Sequence, residues 1–334
     1  KLRDGLPAPA FTKSAEIKVD VTPFDATASF PQATDDECVF RYRVRVIRGG
    51  LVLTDKYIFS QFYLNSDQPN PIEYYIPSLK PETEYEMEVT AYDSYDNAST
   101  PLRRTFKTPV ADAANMIPTP DGQWTFEDAT DLMKPAQGGM TMQPCLVGNK
   151  SVTVVETLEE VGITAIDGPS ADNRAILVPT DAALKVLRTR QDITETYTLL
   201  MDIKIANAAP YNSLLQTNMY NTNDGDLFIY RNRIGMAAMG GYVDGIDDDT
   251  WYRIVMTYDG ERANVYVNGE RLIDCAGNAR WGLDPFFFLF CDEDGEMNDT
   301  EVAEVAYWEK TFNQNQVRTL SGLDVIDDSE EPYL

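Results

Sequence analysis

The sequence contains no histidine among its 334 residues. Catalysis by Ser-His-Asp or Cys-His arrangements, HExxH zinc sites and histidine-rich dinuclear metal centres are therefore excluded within this chain. Only four cysteines are present, at positions 38, 145, 275 and 291, and none belongs to a CxxC pair. Because that spacing is absent, thiolate zinc and redox sites are not indicated. We interpret the cysteines as buried free thiols, and at most one disulfide within a domain is the alternative.

Positive charge and long apolar runs are also scarce. Lys and Arg number 28 against 54 Asp and Glu, a formal net charge of −26. So acidic a surface repels phosphate backbones and anionic lipids, which argues against nucleic acid as a partner. No apolar run reaches the roughly 18 residues of a membrane span. The chain begins at Lys1 without a signal-peptide core, so we interpret it as a mature segment of a secreted, periplasmic or cell-surface protein.

The first ~108 residues are predicted to form short strands. Their apolar residues recur with a period of two, which is typical of half-buried antiparallel sheet. In VFRYRVRVI and EYEMEVTAY, apolar residues alternate with charged ones. The residues predicted to point outward are Arg41, Arg43 and Arg45 in the first segment and Glu84, Glu86 and Glu88 in the second. We expect these two stripes to lie on neighbouring strands and to form a ladder of ion pairs.

A proline-containing stretch, TPVADAANMIPTPDGQ, interrupts the pattern at residues 108–123. It predicts a first domain of residues 1–108, a linker of residues 109–123 and a second domain of residues 124–334. The second domain has longer strand patterns, and Asn268-Gly269 predicts a hairpin turn. The run FFFLFC predicts a strand that is covered on both faces. A short helix is expected near the end, with Asn313 as N-cap and Gly322 as its stop.

The first domain resembles the fibronectin type III family over roughly residues 8–108. The residues that carry the resemblance are Leu79, Pro81, Thr83 and Tyr85, in the pattern L-x-P-x-T-x-Y, followed by AYDSYDNAS. The resemblance implies that the Tyr85 hydroxyl bonds to nearby backbone at the corner of a sandwich. It also implies that Phe30 occupies the position of the family's usual core tryptophan.

Residues 124–323 resemble the laminin-G-like, concanavalin-A-like jelly roll. The segments that carry this resemblance are WTFED, DGPSADNRAILVP, YTLLMDIKI, the WYRIV strand with its YVNGE hairpin, FLFCDEDGE and VAEVAYWEKTFNQNQVRTLSG. The expected fold is all-β, a fibronectin type III-like sandwich followed by a larger jelly-roll sandwich. Such a pair resembles the C-terminal tail of some secreted bacterial calcineurin-like metallophosphoesterases, which implies an upstream catalytic domain.

The DEDGE segment is the sharpest polar cluster, and hard oxygen ligands at Asp292, Asp294 and Glu296 could hold one structural Ca²⁺. Many laminin-G-like domains bind one calcium near the rim of the sandwich. That resemblance adds Glu127 and Asp128 as candidate ligands, but Ala303 stands where the family has a last-strand aspartate. A solvated acidic turn is the alternative.

Trp281 and Tyr242 lie in loop-like stretches and could stack on a sugar ring. Packing inside the domain is the alternative for both. Glycoside hydrolysis would need a positioned pair of carboxylates, and the E-x-D-x-x-E string of the sandwich glycosidases is absent.

The sequence favours a non-catalytic accessory or binding module whose partner is a glycan or a cell-surface protein. The alternatives are a structural spacer that positions an upstream metallophosphoesterase domain and, third, a glycoside hydrolase.

Overall fold

The computed structural model describes residues 7–59, 70–148, 150–217, 225–292, 295–327 and 333–334. The chain divides into two compact units between Met116 and Ile117, inside the predicted linker. Both units are all-β sandwiches, as the sequence predicted, and the strand pairings within each described sheet are antiparallel. No helix in the described part of the chain is long and apolar enough to cross a bilayer.

The described residues of the first unit form two sheets, one of three strands and one of four. Its strands are β1 (Lys18–Val21), β2 (Ala26–Phe30), β3 (Arg41–Arg48), β4 (Leu51–Phe59), β5 (Ile72–Ile76), β6 (Glu84–Tyr92) and β7 (Leu102–Lys107). The sheet orders are β1-β2-β5 and β4-β3-β6-β7. Apolar side chains of both sheets meet in one core, which includes Phe30, Tyr42 and Tyr85.

The Tyr85 hydroxyl makes the backbone contact that the sequence predicted. Its ring is 1% exposed, and its oxygen accepts a hydrogen bond from the Lys80 amide at 2.9 Å. This bond joins the start of β6 to the loop before it. Phe30, at the predicted core position, is likewise 1% exposed.

The predicted arginine–glutamate ladder is only partly present. Strands β3 and β6 are neighbours as expected, but their register places Arg45 opposite Glu88 and leaves Arg43 opposite Thr90. Arg45 bonds to Glu88, whose side chain is 2% exposed. Arg43 pairs instead with Asp55 on β4, at 2.5 Å, and Arg41 pairs with Asp96, at 2.6 Å. The prediction was wrong for these two arginines because alternation fixes which face a side chain occupies but not the register between two strands.

The second unit contains the longer strands and two larger sheets. The strands of its first half are β8 (Gly122–Trp124), β9 (Gln137–Gly138), β10 (Thr141–Gly148), β11 (Ser151–Val154), β12 (Thr164–Asp167), β13 (Arg174–Val178), β14 (Ala182–Leu187) and β15 (Tyr197–Ile205). Those of its second half are β16 (Asn212–Gln216), β17 (Leu227–Tyr230), β18 (Arg233–Met236), β19 (Gly241–Asp244), β20 (Trp251–Tyr258), β21 (Arg262–Val267), β22 (Glu270–Ala276), β23 (Phe286–Leu289) and β24 (Thr300–Trp308). One α-helix, α1 (Gln314–Leu320), follows.

An eight-stranded sheet has the order β11-β10-β14-β23-β16-β17-β18-β19. A nine-stranded sheet has the order β12-β13-β24-β15-β20-β21-β22, with β8 also pairing to β24 and β9 to β8. Strand β23 is covered on both faces, as predicted: Phe287 and Leu289 enter the main core. Phe288, with Phe286 against it, packs into a second cluster on the other face, together with Cys145 and Cys291.

The predicted turn and helix boundaries are confirmed. Asn268 and Gly269 connect β21 to β22 with φ values of 50° and 87°, the positive pair that a type I′ hairpin turn requires. The Asn313 side chain caps α1 by accepting a hydrogen bond from the Gln316 amide, and the Gln316 side chain accepts one from the Asn313 amide. Gly322 follows the helix at φ 72°. Helix α1 therefore begins and ends where the sequence indicated.

The two compact units differ from the predicted domains at two places. The second unit begins at Ile117, and the Trp308 Nε1 donates to the Pro118 carbonyl at 2.8 Å. Tyr333 and Leu334 belong to the first unit, since Leu334 packs against its core.

The four cysteines, all among the described residues, form no disulfide with one another, and two of them are buried and two half-buried. Burial raises the pKa of the Cys145 thiol to about 11, so the thiolate is disfavoured at neutral pH.

We expect Arg45→Met to lower the free energy of unfolding of the first unit by about 2 kcal/mol, because buried Glu88 would keep only the largely exposed Arg103 as a partner. Arg104→Met, at an exposed position of β7, should cost less than about 0.5 kcal/mol. Urea unfolding followed by circular dichroism measures both. Equal losses for the two variants would contradict the importance of the Arg45–Glu88 pair.

Candidate functional site: a tyrosine cluster on the eight-stranded sheet

Three half-buried tyrosines meet near the β19 end of the eight-stranded sheet. Tyr211 precedes β16, Tyr230 ends β17 and Tyr242 lies in β19. The rings of Tyr211 and Tyr230 stack face to face, with centroids 3.7 Å apart and an interplanar angle of 1°. Tyr242 meets Tyr230 edge-on at 5.8 Å and 66°. We refer to these three residues as the tyrosine cluster.

The hairpin between β17 and β18 positions the cluster. Arg231 and Asn232 form its turn with φ values of 53° and 60°. Tyr230 is thereby paired with Arg233, and Tyr242 with Gly235 on the same strand β18. A side chain at Gly235 would collide with the Gly241 carbonyl, so this position requires glycine. The cluster therefore lies on a hydrogen-bonded framework.

Charged groups surround the three rings. The Arg231 guanidinium carbon lies 4.9 Å from the centroid of Tyr230, within the range of a cation–π contact. On the adjoining strands Arg233 pairs with Asp244 at 2.7 Å, and both side chains are exposed. The cluster thus combines aromatic surface with hydrogen-bonding groups of both charges.

Glu296 lies beside the cluster. Desolvation, then Tyr230 and the Glu296 carboxylate, raises the pKa of Tyr211. Two backbone contacts attach the segment that carries Glu296: the Ser213 amide donates to the Glu296 carbonyl, and the Asn298 side chain donates to the Tyr211 carbonyl, both at 2.9 Å. The segment that carries Glu296 is thus attached next to the tyrosine cluster that contains Tyr242, although the sequence assigned these two residues to different sites.

Trp281 occupies a different place from the one predicted. It is 0% exposed, and its Nε1 donates to the Asp226 carbonyl at 3.0 Å. Its ring meets Tyr258 edge-on at 6.1 Å. A sugar cannot stack on a ring that the core encloses, so the stacking hypothesis is corrected for Trp281 and the packing alternative fits. The loop-like sequence around Trp281 predicted an accessible ring, but a short 3-10 helix at Ala279–Trp281 turns the ring inward.

Glu127 and Asp128 each have local partners. Glu127 accepts a bond from the Arg174 amide at 2.9 Å. Asp128 accepts from Thr130 at 2.6 Å and pairs with Lys134 at 3.1 Å, and these contacts hold its pKa well below the usual value. Ala303 lies in a bulge of β24, since Asp202 pairs with Glu304 and the next residue with Val302.

In the DEDGE segment, Asp292 is buried at 0% exposure, whereas Asp294 lies outside the described residues. Among the residues that the structure describes, no three acidic or thiol side chains form a group that could hold a metal ion. The calcium hypothesis stays a prediction, and its test must include Asp294.

Comparison with known proteins gives similarities of shape alone. No protein-family model and no curated protein matches the chain. Domain 4 of AbnA, a GH43 extracellular arabinanase from Geobacillus stearothermophilus, in complex with arabinotriose, has a TM-score of 0.42 at 14% identity, covering 60% of this chain and 98% of that one. The botulinum neurotoxin serotype G binding domain has a TM-score of 0.43 at 10% identity, covering 61% and 50%. FN3tt has a TM-score of 0.24 at 11% identity, covering 32% and 100%.

We expect Trp281→Phe to lower the free energy of unfolding of the second unit by about 2 kcal/mol, because it leaves a cavity and removes the bond to Asp226. The control is Trp251→Phe, since Trp251 is half-buried, and its cost should stay below about 1 kcal/mol. Chemical denaturation measures both. A loss at Trp281 no larger than at Trp251 would contradict its role as a core residue.

Proposed function

We propose that the chain is a non-catalytic binding module and that it binds carbohydrate at the tyrosine cluster. The observation that carries the proposal is the meeting of the Tyr211, Tyr230 and Tyr242 rings, next to the segment carrying Glu296 that hydrogen bonds attach to Ser213 and Tyr211. Sugars present apolar C–H faces and a rim of hydroxyls. Aromatic rings pack against the faces, and a few placed carboxylates or amides bind the hydroxyls.

We also propose that the first unit is a fibronectin type III-like domain and the second a laminin-G-like jelly roll. A fibronectin type III-like domain accounts for the three- and four-stranded sheets of the first unit and for the backbone bond of Tyr85. A laminin-G-like jelly roll accounts for the two large antiparallel sheets of the second. We further propose, on the family resemblance, that the module serves a secreted, periplasmic or cell-surface bacterial protein with a catalytic domain upstream.

The absence of histidine supports the non-catalytic proposal. Glycoside hydrolysis would need two carboxyls positioned across a groove, and the E-x-D-x-x-E string of the sandwich glycosidases is absent from the sequence.

The test begins with a glycan array probed with the labelled full chain, followed by calorimetry on each hit. Tyr211→Ala and Tyr242→Ala should each weaken binding at least tenfold, which corresponds to about 1.4 kcal/mol of lost stacking. Glu296→Gln should weaken it several-fold because an amide replaces an acceptor-only carboxylate.

The matched control is Tyr95→Ala, at a half-buried tyrosine of the first unit, and it should leave the affinity unchanged. Circular dichroism confirms that each variant is folded. Binding that survives both cluster substitutions would refute the site. Failure of every glycan to bind the folded chain would favour the spacer role instead.

A further inference from the structure

Tyr333 and Leu334 are held in the first unit by backbone hydrogen bonds of the kind that bind peptides. The Leu334 amide donates to the Ser78 carbonyl at 2.6 Å. The Leu334 oxygen accepts from the Tyr85 hydroxyl at 2.8 Å and from the Arg48 Nη1 at 2.6 Å. Both the donor and the acceptor of one residue are therefore recognised.

Two apolar contacts accompany these bonds. The Leu334 side chain packs against the core of the first unit. The Tyr333 ring stacks on Phe24 at 6.5 Å, with an interplanar angle of 10°, and Phe24 itself is 4% exposed. An aromatic residue followed by an aliphatic one therefore meets two separate apolar surfaces. Side-chain contacts of this kind add sequence preference to the backbone bonds.

Two hydrogen bonds within the first unit hold the receiving side without involving Tyr333 or Leu334. The Tyr85 hydroxyl accepts one of them, from the Lys80 amide at 2.9 Å. The Leu79 amide donates to the Phe24 carbonyl at 2.8 Å, which ties together the two loops that form the site. A buried hydroxyl that donates to Leu334 would lose a hydrogen-bond partner if the segment left. Preorganised sites lose less entropy on binding.

We propose that Phe24, Arg48, Ser78 and Tyr85 form a peptide-docking site. Its ligand class is an extended segment that contains an aromatic–aliphatic pair. The chain's own Tyr333–Leu334 occupies the site in cis, and the covalent tether gives this segment a high effective concentration. A peptide in trans can therefore bind only when the segment is absent. This proposal is independent of carbohydrate binding at the tyrosine cluster.

The test compares the full chain with a chain that lacks residues 333 and 334. The probe is a fluorescein-labelled synthetic peptide, Glu-Glu-Pro-Tyr-Leu, followed by fluorescence anisotropy. The shortened chain should bind this peptide at least tenfold more tightly than the full chain does. Replacing leucine by aspartate in the peptide should abolish binding. A full chain that binds as tightly as the shortened one, or a folded shortened chain that fails to bind, would overturn the proposal.

Substitutions in the shortened chain assign the contacts. Arg48→Met and Tyr85→Phe should each weaken peptide binding at least fivefold, whereas Arg104→Met is the control and should leave it unchanged. If shortening unfolds the first unit, hydrogen exchange on the intact, leucine-labelled chain decides. The Leu334 amide should then exchange at least tenfold more slowly than in the free peptide, and equal rates would refute docking.

Discussion

Arg253 joins three neighbouring strands of the nine-stranded sheet, and much of the second unit depends on it. It lies on β20, directly opposite Asp202 on β15, which lies opposite Glu304 on β24. Its guanidinium reaches both carboxylates, at 2.6 and 2.8 Å, and also the Leu320 carbonyl at the end of α1. Removing one member of such a partly buried network leaves the remaining charges without compensation.

Helix α1 takes its place from the same face of the sheet. Two residues beyond the charged row, Val255, Leu200 and Ala306 form an apolar row on these three strands, and Val317 of the helix packs against it. The bond from Arg253 to Leu320 satisfies one of the carbonyls that a helix end leaves without an internal partner. The ion network and the helix therefore stabilise each other, and the sheet has a core on each face.

The sequence predicted the features that depend on residues close together in the chain. Local chemistry was enough for Asn268-Gly269, for the Asn313 cap and for the alternation of β3 and β6, because each depends on neighbours along the chain. The register between strands could not be predicted from the sequence. A glutamate was therefore predicted as the partner of Arg43, which pairs with Asp55 in the structure. The two-sided burial of β23 was predictable because apolar residues occupy successive positions of that strand.

Only part of the candidate site could be predicted from the sequence. Tyr242 was singled out, but Tyr211 and Tyr230 were missed because Arg231-Asn232 lacks the glycine that usually marks a type I′ hairpin. Without that turn, nothing in the sequence places Tyr230 next to Tyr242. The prediction that Trp281 stacks on a sugar was wrong because a loop-like composition does not reveal which way a short helix turns a ring.

Strand β24 has a consequence for the order of events during synthesis. It is the last strand in sequence, yet in the sheet it pairs with β8, β13 and β15. A ribosome must therefore deliver residues 300–308 before the earlier strands find their central neighbour. Until then β13 and β15 each present an unpaired edge, which is the state in which nascent sheets associate wrongly. Because contacts so distant in sequence form slowly, we expect the second unit to complete its fold only after residues 300–308 have emerged.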